Sequence, residues 1–483
     1  MHIKTSAKAV KADLLVLPVY KTKKLNVSGL TKSHELEAQQ AFARKIFKGD
    51  IGETLILHNH KDSKALYKTV ALLGLGEEKD FNLHKAKEAG SKIASVASAS
   101  KSSTVAVSNP KQDYGVWMAF AGYLNSYKFT RYLSKKEGVA LNSITVVGEN
   151  KNSSKLAKDL TNTKNAMFYT RDLVNTTSNE IGPKAMVEKA KKLAKQTKSR
   201  ITVLNRKQLE KMGMGSILAV GQGSKDGPYM VTIEYKNSPE KGQKPIAIIG
   251  KGLTFDTGGI NLKPTGHIET MKQDKAGACT ALGILKYLHE TGYKGHVIFA
   301  IGIAENLIGS GAIRPGDIIK AYNGKTIEIT NTDAEGRMVL ADTIAYTQKK
   351  YSPSHIISLS TLTGAAIIAL GSDITALLST DKKLTLAVLE TAEEVDEPTW
   401  ELPMYEDYCK KTKGTVSDLL NFSKSIRAGT IMGGAFLREF TSGTPLAHLD
   451  MGGTGWTDEG KPCYPSGATG VNIMLVAKTI SKL

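Results

Sequence analysis

Four short apolar runs, many of them β-branched, recur along the second half of the chain, and the segments between them are long enough to form helices. The runs are Ile246 to Gly250, Val297 to Ile303, His355 to Leu359 and Leu446 to Asp450. Short, nearly continuous apolar strands that alternate with helices are typical of a mostly parallel sheet covered on both faces. The runs therefore predict an α/β fold with a mixed, mostly parallel sheet.

Polar residues come after three of these runs. Lys251 follows the first run directly, Asn306 and its neighbours follow the second, and Thr361 to Gly364 follow the third. Ligands of open α/β sheets bind beyond the carboxyl ends of the strands. We therefore expect a functional site at this end of the sheet.

The length of the chain predicts two domains, since 483 residues exceed the size at which one hydrophobic core keeps growing. In the first 150 residues, strand and helix patterns alternate. These patterns are Ala12 to Tyr20, Glu35 to Phe47, Thr69 to Leu75, Lys85 to Ala99 and Ile144 to Val147. We predict an N-terminal α/β domain over residues 1–150, a polar linker helix over 151–173 and a larger catalytic domain over 174–483.

Composition excludes several classes of protein. Three scattered cysteines are too few for a disulfide framework or a thiolate metal site. No run approaches eighteen apolar residues, and an acid interrupts the only early apolar stretch, so we expect neither a membrane span nor a signal peptide but a cytoplasmic protein. The net charge is +19, and residues 1–150 hold 23 Lys and Arg against 13 Asp and Glu. This basic excess leaves nucleic-acid binding open beside a merely solvated surface.

The candidate site consists of acids and lysines that two distant segments supply. Asp333, Glu335 and Arg337 lie within five residues, and the upstream glycine-rich segment holds Lys251, Asp256, Lys263 and Asp274. Carboxylate oxygens suit divalent cations, and one carboxylate can bridge two ions about 3.5 to 4 Å apart. These residues predict a two-metal site for hydrolysis.

Each of these residues also has a purely structural interpretation. An extended backbone would project Asp333 and Glu335 to one side as ligands, but the same acids could simply precede a helix from Arg337 to Tyr346. Asp274 could cap the helix that follows it. Arg337 could pair with the acids or hold a small anion such as bicarbonate.

The segment from Gly250 to Gly259 is expected to leave its strand and turn sharply, because glycine permits the necessary backbone angles. Its structural alternative is a surface turn with an exposed Lys251 and a turn-forming Asp256. As a ligand, Lys251 would have to be neutral, which burial beside two cations favours. Lys263 is better kept charged, to stabilise an oxyanion on a carbonyl.

Other kinds of site lack their motifs. The ten histidines show no HExxH spacing, and His58 with His60 only alternates along a strand. Gly250-Lys251-Gly252 lacks the spacer and the ending of a phosphate loop, which disfavours a nucleotide hydrolase. Gly221, Gly223 and Gly227 do not have the spacing of a dinucleotide fingerprint.

The combined motifs resemble the leucyl aminopeptidase, or cytosol aminopeptidase, family of two-metal exopeptidases. Asn331-Thr332-Asp333-Ala334-Glu335-Gly336-Arg337 is similar to the family signature. The resemblance covers the C-terminal two thirds of the chain. It also includes Arg171 to Asn175, Gly213 to Gly223, Arg314 to Asp317, Thr361 to Ala365 and His448 to Asp450.

By this resemblance, two divalent metal ions, zinc or manganese, are held by Lys251, Asp256, Asp274, Asp333 and Glu335. Asp256 and Glu335 would be shared by both ions, Asp333 would serve the more exchangeable ion, and Lys251 and Asp274 the tighter one. Lys263 and Arg337 would be the catalytic pair. Lys263 would polarise the gem-diolate, and Arg337 would anchor a bicarbonate that takes the proton from the water bridging the metals.

The resemblance further implies a macro-like N-terminal domain, a homohexamer and short peptides as substrates, with leucine preferred at the N-terminus. An additional nucleic-acid-binding role is the alternative that it leaves open. The chain departs from the family where Lys275-Ala276-Gly277 replaces the usual Met-Gly-Gly after Asp274, which is expected to add a positive charge near the tighter metal.

Overall fold

The computed structural model of the chain describes residues 2–22, 30–57, 66–135, 140–148, 151–423 and 427–483. His58 and His60, which were expected to alternate along a strand, lie outside these residues. Contacts within the chain define two compact units. Unit 1 comprises Met1–Asn165 and Glu459–Ser466, and unit 2 comprises Ala166–Asp458 and Gly467–Leu483. The predicted domain limits at residues 150 and 173 stay a prediction.

Unit 1 contains a six-stranded sheet. Its strands are β1 (His2–Ser6), β2 (Ala12–Val19), β3 (Thr54–Leu57), β4 (Tyr67–Gly74), β5 (Thr104–Ser108) and β6 (Ser143–Val147). They lie in the order β1-β6-β5-β2-β4-β3, and β3 runs antiparallel to β4 while the other described pairs are parallel. Apolar residues of β2 and β4, among them Leu14, Val16 and Leu72, are almost fully buried, so this sheet forms the centre of the unit.

The helices described before unit 2 are α1 (Lys32–Ala43), α2 (Leu83–Ser91), α3 (Ile93–Ala99) and α4 (Tyr114–Asn125). The single helix predicted over Lys85 to Ala99 is therefore two helices, α2 and α3, which meet at Lys92. A longer helix, α5 (Ser153–Asn175), begins in unit 1 and ends in unit 2. Within the described parts of the chain, no helix is both long and apolar enough to cross a lipid bilayer.

Unit 2 is built on an eight-stranded sheet with helices between the strands. The strands of this sheet are β7 (Arg200–Leu204), β8 (Tyr229–Asn237), β9 (Ile246–Asp256), β10 (Gly295–Asn306), β13 (His355–Ser360), β14 (Thr375–Ser379), β15 (Thr399–Glu401) and β17 (Leu446–Asp450). Shorter strands are β11 (Ile318–Lys320), β12 (Thr326–Glu328), β16 (Leu419–Leu420), β18 (Trp456–Thr457) and β19 (Gly467–Ala468).

The helices of unit 2 that follow α5 are α6 (Pro183–Gln196), α7 (Arg206–Lys211), α8 (Gly215–Gly221), α9 (Ala276–Thr291), α10 (Glu335–Tyr351), α11 (Gly364–Leu370), α12 (Lys382–Val395), α13 (Glu406–Lys410), α14 (Gly429–Arg438) and α15 (Ile473–Thr479). A 3₁₀ helix over Met271–Lys275 leads directly into α9.

The strand order of the large sheet is β15-β14-β17-β13-β9-β10-β8-β7. The central pairs β17-β13, β13-β9 and β9-β10 are parallel, whereas β8 and β14 introduce antiparallel pairs on either side. This is the mixed, mostly parallel sheet that the four apolar runs predict, because those runs form β9, β10, β13 and β17.

Helices cover both faces of this sheet. Successive residues of a strand point to opposite faces. Ile249 of β9 belongs to an apolar cluster with Val339 and Leu340 of α10, whereas the neighbouring Gly250 lies against Ala278 of α9. The two helices that carry residues of the site, α9 and α10, therefore pack on opposite sides of β9.

Candidate metal centre

The seven candidate residues all lie in unit 2, at the carboxyl end of its central strands. Lys251 and Asp256 belong to β9, and Lys263 lies in the loop that follows. Asp274 is in the 3₁₀ helix before α9, Asp333 in the turn before α10, and Glu335 and Arg337 in the first turn of α10.

Three carboxylates converge at this end of the sheet. One oxygen from each of Asp256, Asp333 and Glu335 lies within 4.8 Å of the other two. Asp256 and Glu335 are buried, while the side chain of Asp333 keeps 34% of its surface exposed. This arrangement gives the cluster a buried base and an open side at Asp333.

Two lysines bind these carboxylates. Lys251 Nζ lies 2.8 Å from both Asp274 Oδ1 and Glu335 Oε1, so it connects Asp274 to the cluster. Lys263 Nζ lies 2.9 Å from Asp256 Oδ2 and 2.5 Å from Asp333 Oδ1. Lys251 reaches its partners beside Gly336, where an added Cβ would lie 2.6 Å from its amino nitrogen. The glycine of the signature therefore provides the space for this lysine.

Burial and mutual repulsion shift the titration of the acids. Burial, together with the nearby carboxylates of Glu335 and Asp274, raises the pKa of Asp256 to about 8. Burial also raises the pKa of Asp274 to about 6, although the ammonium of Lys251 opposes this shift. Burial alone would lower the pKa of Lys251, but the carboxylates of Asp274 and Glu335 outweigh it and raise that pKa above its usual value.

The donor set fits divalent metal ions. When ionised, the four acids carry two more charges than the two ammonium groups that contact them, and a buried excess of negative charge requires compensation. Asp274 Oδ2 is buried and has no hydrogen-bond partner in the described structure, so a coordinating oxygen is available there. Hard oxygen donors of this kind suit zinc, manganese or magnesium.

The backbone differs from expectation in two segments, first between Gly250 and Gly259 and then at Asp333 and Glu335. The expectation that the strand ends at Gly250 is wrong, because β9 continues to Asp256. The sharp turn itself lies within the expected segment, at Gly258 and Gly259, which have φ of 84° and 65°. The alternative of an exposed turn is also wrong, since Lys251 and Asp256 are 2% and 1% exposed.

The second difference concerns the two acids of the signature. An extended backbone was expected to place Asp333 and Glu335 on one side, but the chain forms a turn at Asp333 and enters α10 at Glu335. The two carboxylates meet because the turn folds one back toward the other.

Asp274 does not cap a helix. The N-cap of α9 is Lys275, and no side chain caps it. Asp274 Oδ1 instead accepts a hydrogen bond from Thr361 Oγ1 at 2.7 Å, in addition to its contact with Lys251. The structural interpretation of Asp274 as a helix cap is therefore wrong.

Arg337 is buried and donates a hydrogen bond to the carbonyl of Asn421 at 3.0 Å. It forms no ion pair with a carboxylate in the described part of the chain, so the simple pairing with Asp333 or Glu335 is not observed. A Cβ at Gly433 of α14 would lie 3.8 Å from Arg337 Nη2. Gly433 therefore lies close to this nitrogen.

Lys275 points away from the cluster. Its buried amino group donates to the carbonyl of Thr176 at 3.0 Å and to that of Lys272 at 2.5 Å. Lys275, where the resemblance implies Met, thus contacts backbone carbonyls and not a candidate ligand.

Three further residues hold the site and received no role from the sequence. Asn306 and Thr361 come after two of the apolar runs, and this position was the only sequence signal for them. Asn421 lies 84 residues beyond Arg337 and accepts from Thr330 N at 2.8 Å and Asn331 N at 3.3 Å. Nothing local in the sequence marks Asn421, since its role depends on a contact between distant segments.

Comparison with known proteins places this chain in a family. Residues 168–477 match the model described as "Cytosol aminopeptidase family, catalytic domain", and residues 16–136 match its N-terminal domain. A probable cytosol aminopeptidase of Cenarchaeum symbiosum (strain A) is 41% identical over 354 residues, which cover 73% of this chain and 72% of the relative. That of Protochlamydia amoebophila (strain UWE25) is 35% identical over 497 residues, covering 100% and 98%.

Among solved structures, the bottromycin maturation enzyme BotP in complex with Mn has a TM-score of 0.86 and 26% identity, covering 98% of this chain and 99% of that one. Both domains of the family are thus matched, and full-length relatives align along nearly the entire chain. The chain therefore belongs to the cytosol aminopeptidase family and is an aminopeptidase, a hydrolase of peptide bonds.

Proposed function

We propose that this aminopeptidase is metal-dependent and removes N-terminal residues, preferably leucine, from short peptides. The convergence of the Asp256, Asp333 and Glu335 oxygens within 4.8 Å is the observation that carries the proposal. Three oxygen donors so close together, in a buried site with surplus negative charge, favour cations over an unaided acid-base mechanism.

The proposed ligands are Lys251, Asp256, Asp274, Asp333 and Glu335, and the proposed ions are zinc or manganese. Manganese is named for the similar BotP structure, and zinc suits a donor set of oxygens and one neutral amine. When bound, two such ions supply Lewis acidity that activates water and polarises a peptide carbonyl. The positive charge of the ions would also favour the neutral amine of Lys251 that coordination requires.

Lys263 and Arg337 are the proposed catalytic pair. Lys263 is only 15% exposed in its side chain and lies at the open side of the cluster beside Asp333, where its ammonium can donate to an oxyanion developing on the substrate. The guanidinium of Arg337, whose Nη2 lies near Gly433, can hold a planar anion such as bicarbonate by two parallel hydrogen bonds. The anion would accept a proton during hydrolysis.

Substitution of the acids tests this function. In folded Asp333→Ala and Glu335→Ala proteins, we expect the rate of leucine amide hydrolysis to fall by at least about 10³-fold, because each variant removes a charged ligand. Asp407→Ala is the matched control, since Asp407 is an acid of α13 with 87% of its side chain exposed. Unchanged hydrolysis by the first two variants would refute the proposal.

Metal dependence is tested separately. Protein purified without added metals, stripped with a chelator and reconstituted with zinc, manganese or magnesium should regain leucine amide hydrolysis with zinc or manganese. Metal analysis should then give two ions per chain. Full activity after complete stripping would exclude metal dependence. Comparison of leucine amide with other residue amides measures the side-chain preference.

The proposed assembly is a homohexamer in the cytoplasm. Several large apolar side chains of unit 2 are exposed in the single chain, among them Ile260, Leu262, Ile368 and Trp400, and association of chains would bury such surface. Light scattering should give six times the mass of the 52.0 kDa chain, and a monomer would contradict this. Cell fractionation tests the location, which rests on the names of the relatives.

A further inference from the structure

Asn306 is the last residue of β10, and the pairing of β10 with β9 is irregular at this point. The register runs evenly up to Ala304 opposite Leu253 and then shifts, so that Asn306 pairs with Asp256. A β-bulge adds a residue to one strand and redirects the side chains beyond it. This shift brings the amide of Asn306 beside the carboxylate of a candidate metal ligand.

The side-chain nitrogen of Asn306 has two acceptors on two different segments. It donates to Asp256 Oδ1 at 2.8 Å and to the carbonyl of Thr332 at 3.1 Å. The residue is 2% exposed, and its own carbonyl accepts from Thr257 N at 2.9 Å. Both hydrogens of the amide are used, so the orientation of this side chain is well determined.

Thr332 precedes Asp333, so the second hydrogen bond acts on the turn that carries the other ligands. That turn is also tied to the loop after β9, because Thr332 Oγ1 donates to Gly258 O at 2.6 Å and Asn261 Oδ1 accepts from Thr332 N at 2.8 Å. Among the three residues that hydrogen-bond to Thr332 in this way, Asn306 is the one whose side chain also donates to a carboxylate, that of Asp256. It therefore joins Asp256 to the backbone beside Asp333.

We propose that Asn306 is a positioning residue that sets the separation between Asp256 and the Asp333–Glu335 turn and thereby the affinity for both metal ions. This inference rests on the proposed two-metal function. A neutral amide suits the role, because it orients the carboxylate without the added repulsion that a lysine would exert on a cation or an aspartate on Asp256.

Thr361 offers a comparison within the same site. Its hydroxyl donates to Asp274 Oδ1 at 2.7 Å, and its backbone carbonyl accepts from Lys251. Both partners are proposed ligands of one ion only, whereas Asp256 is proposed to be shared. Loss of the Thr361 hydroxyl should therefore weaken the binding of one metal ion, and loss of the Asn306 amide should weaken the binding of both.

The experiment measures the zinc dissociation constants of the full-length protein after its metal ions have been removed. Zinc is titrated into the protein by calorimetry in the presence of a competing chelator. The titration compares wild type with Asn306→Ala, Asn306→Gln and Thr361→Val. Changes in hydrogen-bond partners of metal ligands commonly alter affinity by roughly 10 to 100-fold. We expect both zinc dissociation constants to rise by about this factor in Asn306→Ala and only one to rise in Thr361→Val.

Asn109→Ala is the matched control. Asn109 lies in unit 1, donates to Gln112 O and Gly148 O and accepts from Gly115 N, so its loss also removes several hydrogen bonds. We expect its zinc affinities to equal those of wild type. Circular dichroism establishes that each variant is folded, and if Asn306→Ala does not fold, Asn306→Gln decides, since its longer side chain misplaces the same amide.

The outcomes separate the two proposals. If wild type binds two zinc ions and hydrolyses leucine amide, but the deciding Asn306 variant binds both ions as wild type does, the positioning role is wrong. Weaker binding of only one zinc ion in that variant would also contradict the positioning role. If wild type binds fewer than two ions, the proposed function fails instead.

Discussion

At the scale of single residues, the ammonium of Lys263 lies between two proposed ligands on the open side of the cluster. Burial alone would lower the pKa of Lys263, but the carboxylates of Asp256, Glu335 and Asp333 raise it above its usual value. A fixed positive charge beside the substrate position is suited to an oxyanion that forms only in the transition state. Its loss should affect turnover more than binding.

We therefore predict that Lys263→Met lowers kcat for leucine amide by about 10² to 10³-fold while KM changes little, because one preorganised donor is removed. Steady-state kinetics at saturating metal measure both constants. Lys410→Met is the control, since Lys410 is an exposed lysine of α13. A large rise in KM with unchanged kcat would show that Lys263 contributes to ground-state binding instead.

At the scale of elements, α9 approaches the sheet very closely because glycines lie at the contact. A Cβ at Gly277 would lie 2.1 Å from the carbonyl oxygen of Leu359 in β13, and one at Gly250 would lie 2.7 Å from Cα of Ala278. This approach places the 3₁₀ helix with Asp274 against Lys251. The small residues at the start of α9 are thus required for the site as well as for packing.

Gly277→Ala should lower the free energy of unfolding by about 3 kcal/mol, because a backbone oxygen cannot move as freely as a side chain. Urea denaturation followed by circular dichroism measures this loss. Gly364→Ala, where an added Cβ meets nothing within 4 Å, is the matched control and should change stability by less than about 0.5 kcal/mol. Equal stability of the two variants would contradict the close packing.

In unit 1, Asp13 connects three strands. Its Oδ2 accepts hydrogen bonds from the backbone N–H and the hydroxyl of Ser103 and of Thr104, the first residue of β5. Its Oδ1 contacts Lys68 of β4. The hydrogen bonds from Lys68 and Thr104 lower the pKa of Asp13 well below its usual value. Its ionised form therefore stabilises the fold.

Asp13→Ala should lower the free energy of unfolding by about 2 kcal/mol at pH 7, where the carboxylate is ionised in both states. Because the folded pKa is depressed, this contribution is complete above the unfolded pKa of about 3.9 and is lost as the pH falls toward the folded value. In urea denaturation, the difference from wild type should thus shrink as the pH falls below about 3.9. A difference that grows on acidification would contradict the assignment.

At the scale of the whole molecule, the proposed chemistry and much of the positive charge are separated along the chain. The seven candidate residues lie in unit 2, whereas residues 1–150 hold an excess of +10 out of +19. Lysines of unit 1 that have acidic partners include Lys21 with Asp50, Lys68 with Asp13 and Lys111 with Glu78. Interspersed charges of this kind favour a solvated surface over a continuous basic stripe.

We predict that the protein does not retard duplex DNA in a gel-shift assay at 150 mM salt, although weak, nonspecific retardation at 20 mM salt would be compatible with its charge. The two salt concentrations are compared on the same duplex. Sequence-specific retardation at the higher salt would instead establish the nucleic-acid role as an additional function.

Much of the framework could be predicted from local patterns. The four apolar runs form central strands of the large sheet, with β17 observed over Leu446–Asp450 as predicted. The ends of other elements were less predictable: β9 extends six residues beyond Gly250, because pairing with β10 continues where the apolar pattern stops. Burial of Lys251 inside a strand likewise depends on partners that a local pattern does not contain.

Strand periodicity and the signature from Asn331 to Arg337 are local properties, so the fold class and the candidate acids and lysines could be predicted from the sequence alone. How these residues meet depends on tertiary contacts. The hydrogen bonds between Asp274 and Thr361, between Arg337 and Asn421, and between Lys275 and Thr176 all join segments far apart in the chain. Such contacts arise from packing, which no single segment encodes.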